Sequence, residues 1–168
     1  MPSNALVLAT VAAAVGSGAF IDMRTRRVPN PLTISIATAG IAAAAAGVSG
    51  LSVGASLAGF VLGLLLMLPG HLIGATGAGD VKLFAAIGTL IGPVHIGVAF
   101  FYTAIAGGVL ALLIAAHRRR LGKTIDGTAR LVATNAANAA EIESPIANNR
   151  FAYAPAIAVG TMLAALGL

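Results

Sequence analysis

Apolar residues run along this chain in long blocks, broken by short polar, glycine-rich or proline-rich stretches. Blocks of about 17–25 apolar residues are long enough to cross the hydrocarbon core of a bilayer. The pattern predicts six spans: about Asn4–Ile21, Leu32–Val48, Leu51–Ile73, a short Asp80–Ile91, Val94–Ala116 and Phe151–Leu168. Pro29-Asn30-Pro31 separates the first two, the glycine-rich stretch Gly74–Gly79 precedes the fourth, and Gly92-Pro93 ends it. No block shows the alternation of a membrane β-barrel. The expectation is an all-α integral membrane protein: one polytopic domain over residues 1–168, a bundle of six transmembrane helices, with a long cytoplasmic loop at 117–150.

Composition agrees with this pattern. The chain is 58% hydrophobic and 9% charged, whereas a soluble domain carries about 25% charged residues. The absence of cysteine excludes a disulfide framework and a cysteine-based zinc site. The net charge of +5 does not imply nucleic acid, because no folded basic domain is present to bind it.

Charge instead predicts orientation. With the N-terminus outside, the inside loops are Asp22–Pro31, Gly74–Lys82 and His117–Arg150. All ten Lys and Arg fall in or at the edges of these loops: Arg24, Arg26, Arg27, Lys82, Arg118, Arg119, Arg120, Lys123, Arg130 and Arg150. Basic residues crowd cytoplasmic loops, so both termini are expected outside. The first block is not read as a signal peptide, since its basic residues follow it rather than precede it. Arg118-Arg119-Arg120 is expected to anchor the fifth helix at anionic headgroups; the rest of that loop receives no catalytic role. Glycines four apart, Gly59/Gly63, Gly70/Gly74 and Gly88/Gly92, are read as close helix packing within the chain.

Five acids remain to be placed. Asp126, Glu141 and Glu143 lie in the long loop, where a carboxylate costs little. Asp22 and Asp80 lie at the edges of apolar spans, where ionisable groups are costly and tend to be functional. The topology puts both on the inside face. If their helices are neighbours, the pair cannot easily ionise together, so one carboxyl keeps a proton. The ionised member can then take a proton from water while the other polarises a peptide carbonyl. A helix N-terminus favours charge on Asp80 and a C-terminus disfavours it on Asp22, although Arg24, Arg26 and Arg27 oppose the second effect. The balance favours Asp80 as base. In Gly77-Ala78-Gly79-Asp80 two glycines just before the acid would let a substrate backbone approach.

Other readings stand beside this one. Asp22 and Asp80 can be loop charges paired with Arg24 or Lys82, or the cation or proton sites of a small transporter or channel, or the chain can be a non-catalytic scaffold. The glycines do not make a phosphate loop, which needs a Gly-Lys-Ser/Thr tail. His71, His95 and His117 are isolated and form no His-Glu-x-x-His pattern, so no metal ligand set is expected. No serine sits in a Gly-x-Ser-x-Gly context. No cofactor is expected.

Gly77-Ala78-Gly79-Asp80-Val81-Lys82 resembles the Gly-x-Gly-Asp-x-Lys motif of type IV prepilin peptidases, which are bacterial membrane aspartic proteases. Asp22, followed by Arg24, Arg26, Arg27 and then Pro29-Asn30, is similar to the family's first aspartate segment. Tyr153-Ala154-Pro155 through Gly160 resembles its last-helix segment, although Ala152 stands where the family often has proline. The resemblance implies catalysis by Asp22 and Asp80, with Gly77, Gly79, Lys82, Pro29 and Asn30 as supporting motif residues. It implies a prepilin or pseudopilin substrate, cut at the cytoplasmic face between a basic leader and an apolar helix, commonly after glycine. It also implies a place in the bacterial plasma membrane beside pilus or secretion machinery. Long members carry a four-cysteine domain and methylate the new N-terminus. This chain has no cysteine and looks like the short Tad/Flp-type form, so a peptidase without methyltransferase activity is expected.

Overall fold

The computed structural model describes residues 5–25, 28–74, 76–117 and 153–167, and every regular element among them is helical. Five helices follow one another: α1 (Ala5–Thr25), α2 (Asn30–Ala45), α3 (Val53–Leu72), α4 (Ala78–His117) and α5 (Ala154–Leu166). α1, α3 and α4 are long and apolar enough to cross a membrane, while α2 and α5 are shorter apolar helices. The expected role of Arg118-Arg119-Arg120, the acids Asp126, Glu141 and Glu143, the residues Arg26 and Arg27, and Ala152 lie outside the described residues.

α4 is broken where the sequence predicts. Gly92 has φ 77° and ψ 177°, a conformation that L side chains rarely adopt. Pro93 follows and lacks the N–H that a continuous helix would need. The break reverses the chain. Phe84 and Phe100 are sixteen positions apart, which in an unbroken helix is about 24 Å, yet their ring centroids are 6.4 Å apart. α4 is therefore a hairpin with a first arm over residues 78–91 and a second over 93–117. His95 Nδ1 lies 3.1 Å from Ile91 O, beside the turn.

The first arm is the axis of the bundle. Leu83, Phe84, Ala85, Ile87 and Ile91 on it are fully buried. α3 packs along α4 most extensively; α5 packs on α4 and α1, and α2 on α4 and α3. These contacts are made through small residues. Gly59 of α3 meets the backbone of Gly88, Gly63 lies over Ala85 and Ile96, Gly40 of α2 meets Thr89, and Gly160 of α5 meets Thr103. Large apolar residues point outward instead: Leu57, Val61 and Leu65 on α3, and Val94, Val98, Phe101 and Ile105 on the second arm. In lipid, apolar surface gains nothing by turning inward, so close packing of small residues holds helices together.

Three sequence expectations change in detail. α1 continues one turn beyond Ile21, to Thr25, so Asp22 lies within the helix rather than at its end. α2 begins at Asn30 and includes Pro31 in its first turn, where a missing N–H costs nothing. Gly74 is not a packing residue. It has φ +74°, a methyl group there would meet no described atom within 4 Å, and it turns the chain after α3.

Candidate active site

The buried face of α1 is built from Val7, Val11, Ala14, Val15 and Ala19, a three-to-four spacing that defines one helix face. Asp22 is the next position on that face, and it is only 5% exposed. Its Oδ2 accepts from the backbone N–H of Ala154, the first residue of α5, at 3.4 Å.

Asp80 reaches the same end of the bundle from the first turn of α4 and is 7% exposed. Its Oδ2 accepts from the Gly77 N–H at 3.1 Å, and its own N–H donates to Gly77 O at 3.1 Å. This is half of a capping box: a carboxylate in the third helical position satisfies a free N–H ahead of the helix. The other carboxylate oxygen, Oδ1, is buried and has no hydrogen-bond partner among the described residues. The two carboxylates are close enough to repel each other. Residues 58 positions apart in sequence thus share one site.

The supporting motif residues are assembled here as well. Lys82 Nζ donates to Asn30 Oδ1 at 3.1 Å, so the two sequence motifs bond directly. Lys82 is therefore engaged by Asn30, and Arg24 stacks over the Phe20 ring at 4.6 Å. Pro29 precedes α2 in an extended conformation. Among the described residues, every Asp, Glu, Lys and Arg (Asp22, Arg24, Asp80 and Lys82) sits at this end.

The glycines have a different use from the one expected. A methyl group at Gly79 would lie 3.2 Å from both the N and Cβ of Val28. The space beside Gly79 is filled by the chain's own Val28, which seats the Val28–Asn30 segment against α4. A methyl at Gly77 would lie 3.1 Å from Asp80 Oδ2.

Sequence reasoning gave no role to the start of α5. The Tyr153 phenol lies near enough to Asp80 to feel its charge, and Tyr153 O–H points to Thr103 O at 3.5 Å. Two acids, a phenol and an adjoining backbone N–H are therefore gathered at one end of the bundle. Such a group can hold one proton between two carboxylates and exchange it with a bound water and a carbonyl oxygen. Among the described residues, no cluster of three or more His, Asp or Glu forms. His71, at the end of α3, pairs instead with Thr76 O at 3.1 Å.

The family model for the type IV leader peptidase family matches residues 6–112. The chain belongs to the type IV leader peptidase family. The matched stretch holds Asp22, Asn30, Gly77, Gly79, Asp80 and Lys82, together with the whole hairpin turn; α5 and Tyr153 lie beyond it. No curated protein and no solved structure matches the chain. Membership makes the protein a leader-peptidase-type protease in general terms, and it agrees with the apolar helices in making it a membrane protein.

Proposed function

We propose that this leader peptidase is an aspartic endopeptidase in which Asp22 and Asp80 form the catalytic pair. The observation that carries the reading is that two nearly buried carboxylates, from helices far apart in sequence, lie close enough to repel each other at the end of the bundle where, among the described residues, charge gathers. Burying two carboxylates together is costly unless they share a proton, and such arrangements are kept where they are used.

The chemistry follows from the sharing. The ionised carboxylate, assigned to Asp80, takes a proton from a bound water as its oxygen attacks the scissile carbonyl carbon. The protonated carboxyl, assigned to Asp22, donates to the carbonyl oxygen. The tetrahedral intermediate collapses when Asp80 passes the proton it took to the leaving amine nitrogen and Asp22 takes a proton back from one hydroxyl of the intermediate. The pair ends with one proton, as it began. No covalent intermediate forms.

The proposed substrates are prepilins or pseudopilins, cut at the cytoplasmic face of the bacterial plasma membrane, where pilus or secretion machinery would receive the product. The topology proposed is six spans with both termini outside, the two arms of α4 counting separately. Methyl transfer is not part of the reading, since the sequence contains no cysteine.

The test is co-expression with a pilin-type precursor and a gel assay for the shortened product. Asp22→Asn and Asp80→Asn should each leave the precursor uncut while the protein still inserts in the membrane. Normal cleavage by either variant would reject the reading.

A further inference from the structure

The peptidase reading leaves the first residues of α5 without a role, although they border both acids. Ala154 N–H donates to Asp22 Oδ2. Tyr153, one residue earlier, is partly buried beside Asp80. Among the described residues its O–H has one acceptor, the Thr103 carbonyl at 3.5 Å, which is the outer limit of a hydrogen bond. Asp80 Oδ1, meanwhile, is buried without a donor among the described residues. A carboxylate oxygen lacking a donor and a phenol with a poor acceptor have complementary needs, and leaving a buried polar atom unpaired is costly.

We infer that Tyr153 is a positioning residue of the site, moving its O–H from the Thr103 carbonyl to Asp80 Oδ1 when substrate engages. In that position it holds Asp80 in the orientation that takes a proton from water. The inference rests on the peptidase reading of Asp22 and Asp80.

The ring is placed by Gly107 on the second arm of α4. A methyl group there would lie 2.6 Å from Tyr153 Cε2 and 2.9 Å from the phenol oxygen. Only a glycine lets the ring lie so close to the helix. Gly108, the next residue, is exposed, and a methyl group there would meet no described atom within 4 Å. Two adjacent glycines on the same helix therefore differ in whether they touch the tyrosine.

The test uses the full-length protein in proteoliposomes and a peptide carrying a basic leader and the start of an apolar pilin helix. Tyr153→Phe removes only the hydroxyl. It should lower kcat about 10- to 100-fold, the worth of one hydrogen bond to a charged group. KM should stay within about twofold, because the bond is made to the reacting pair rather than to bound substrate. Gly107→Ala should lower kcat in the same direction, and Gly108→Ala should match the unmodified protein. The inference is overturned if Tyr153→Phe keeps full kcat, if its kcat and melting temperature fall together, or if both glycine variants behave alike. Asp80→Asn in the same assay separates the two levels. If it is inactive while Tyr153→Phe is fully active, only the tyrosine's role is lost. If it cleaves normally, the peptidase reading fails and the inference with it.

Discussion

The two ends of the α4 hairpin use similar residues for opposite purposes. At the turn, glycine brings backbone against backbone, Gly88 meeting Gly59 where Gly92 reverses the chain. The polar groups there are satisfied: Ser56 Oγ donates to Thr89 O at 2.9 Å, Thr89 Oγ1 to Ala86 O at 2.7 Å, and His95 lies on Ile91 O. At the open end, Gly77 and Gly79 also bring groups close, but those groups are an acid and a valine from another segment. There the accounting does not close, because Asp80 Oδ1 and Thr76 Oγ1 are buried without partners among the described residues. Most buried polar groups in proteins are paired, and exceptions call for an explanation. The turn end is finished as packing. The open end keeps unmet needs that a substrate or a water can fill.

The sharpest way to break this contrast is at the acids. Asp80→Asn keeps shape and one acceptor oxygen but cannot serve as base, and Asp22→Asn cannot supply the proton. Each should reduce the rate of precursor cleavage by roughly 10²–10⁴-fold, the range for losing one member of an acid–base pair. Far-ultraviolet circular dichroism in detergent should remain helical for both. A variant that cleaves at the original rate would show that the buried charge at this end is structural.

The turn end should fail in the other manner. Gly88→Val places atoms where the Gly59 backbone now sits, and overpacking of this kind typically costs about 1–3 kcal/mol. The expected result is a lower melting temperature and less inserted protein, with kcat per folded molecule unchanged. A variant that melts normally but loses kcat would mean that the turn end is coupled to the site.

A smaller effect is expected where the motifs join. Lys82→Met removes the bond to Asn30, which is made at an exposed position, so the stability lost should be within about 1 kcal/mol. Its effect on cleavage should lie well below that of either aspartate variant. An equal loss would place Lys82 in the chemistry rather than beside it.

Much of this was legible in the sequence, and the exceptions have physical causes. Gly92-Pro93 announced the hairpin because glycine and proline act on backbone torsions locally. Asp22 and Asp80 stood out because charge is rare in this chain, and the basic loops put them on one face. The stripe Val7, Val11, Ala14, Val15, Ala19 that buries Asp22 was not readable, because the span is apolar on nearly every side and only packing selects a face. Nor could it be read which segment fills which space. Gly79 signals a close approach, but nothing local says that Val28 rather than a substrate makes it. Tyr153 lies more than seventy positions from Asp80, and only the docking of α5 on α4 brings it near enough to feel that charge.

The smallest effect tests the other half of the contrast, between glycines that touch something and glycines that do not. Gly16 lies inside α1, on its exposed side, with no atom within 4 Å of where a methyl group would stand. Gly18, two residues on, faces inward, and a methyl there would lie 2.8 Å from Leu83 Cδ2. Replacing a helical glycine by alanine removes backbone freedom from the unfolded chain and is worth up to about 1 kcal/mol where there is room. Gly16→Ala should therefore raise the melting temperature slightly and leave cleavage unchanged. Gly18→Ala sets the same gain against a displaced leucine in the fully buried first arm, and should come out neutral or destabilising. If Gly16→Ala proves as harmful as Gly18→Ala, the outward face of α1 is occupied in the membrane by something other than lipid. The division between packed and open glycines would then have to be redrawn for that helix.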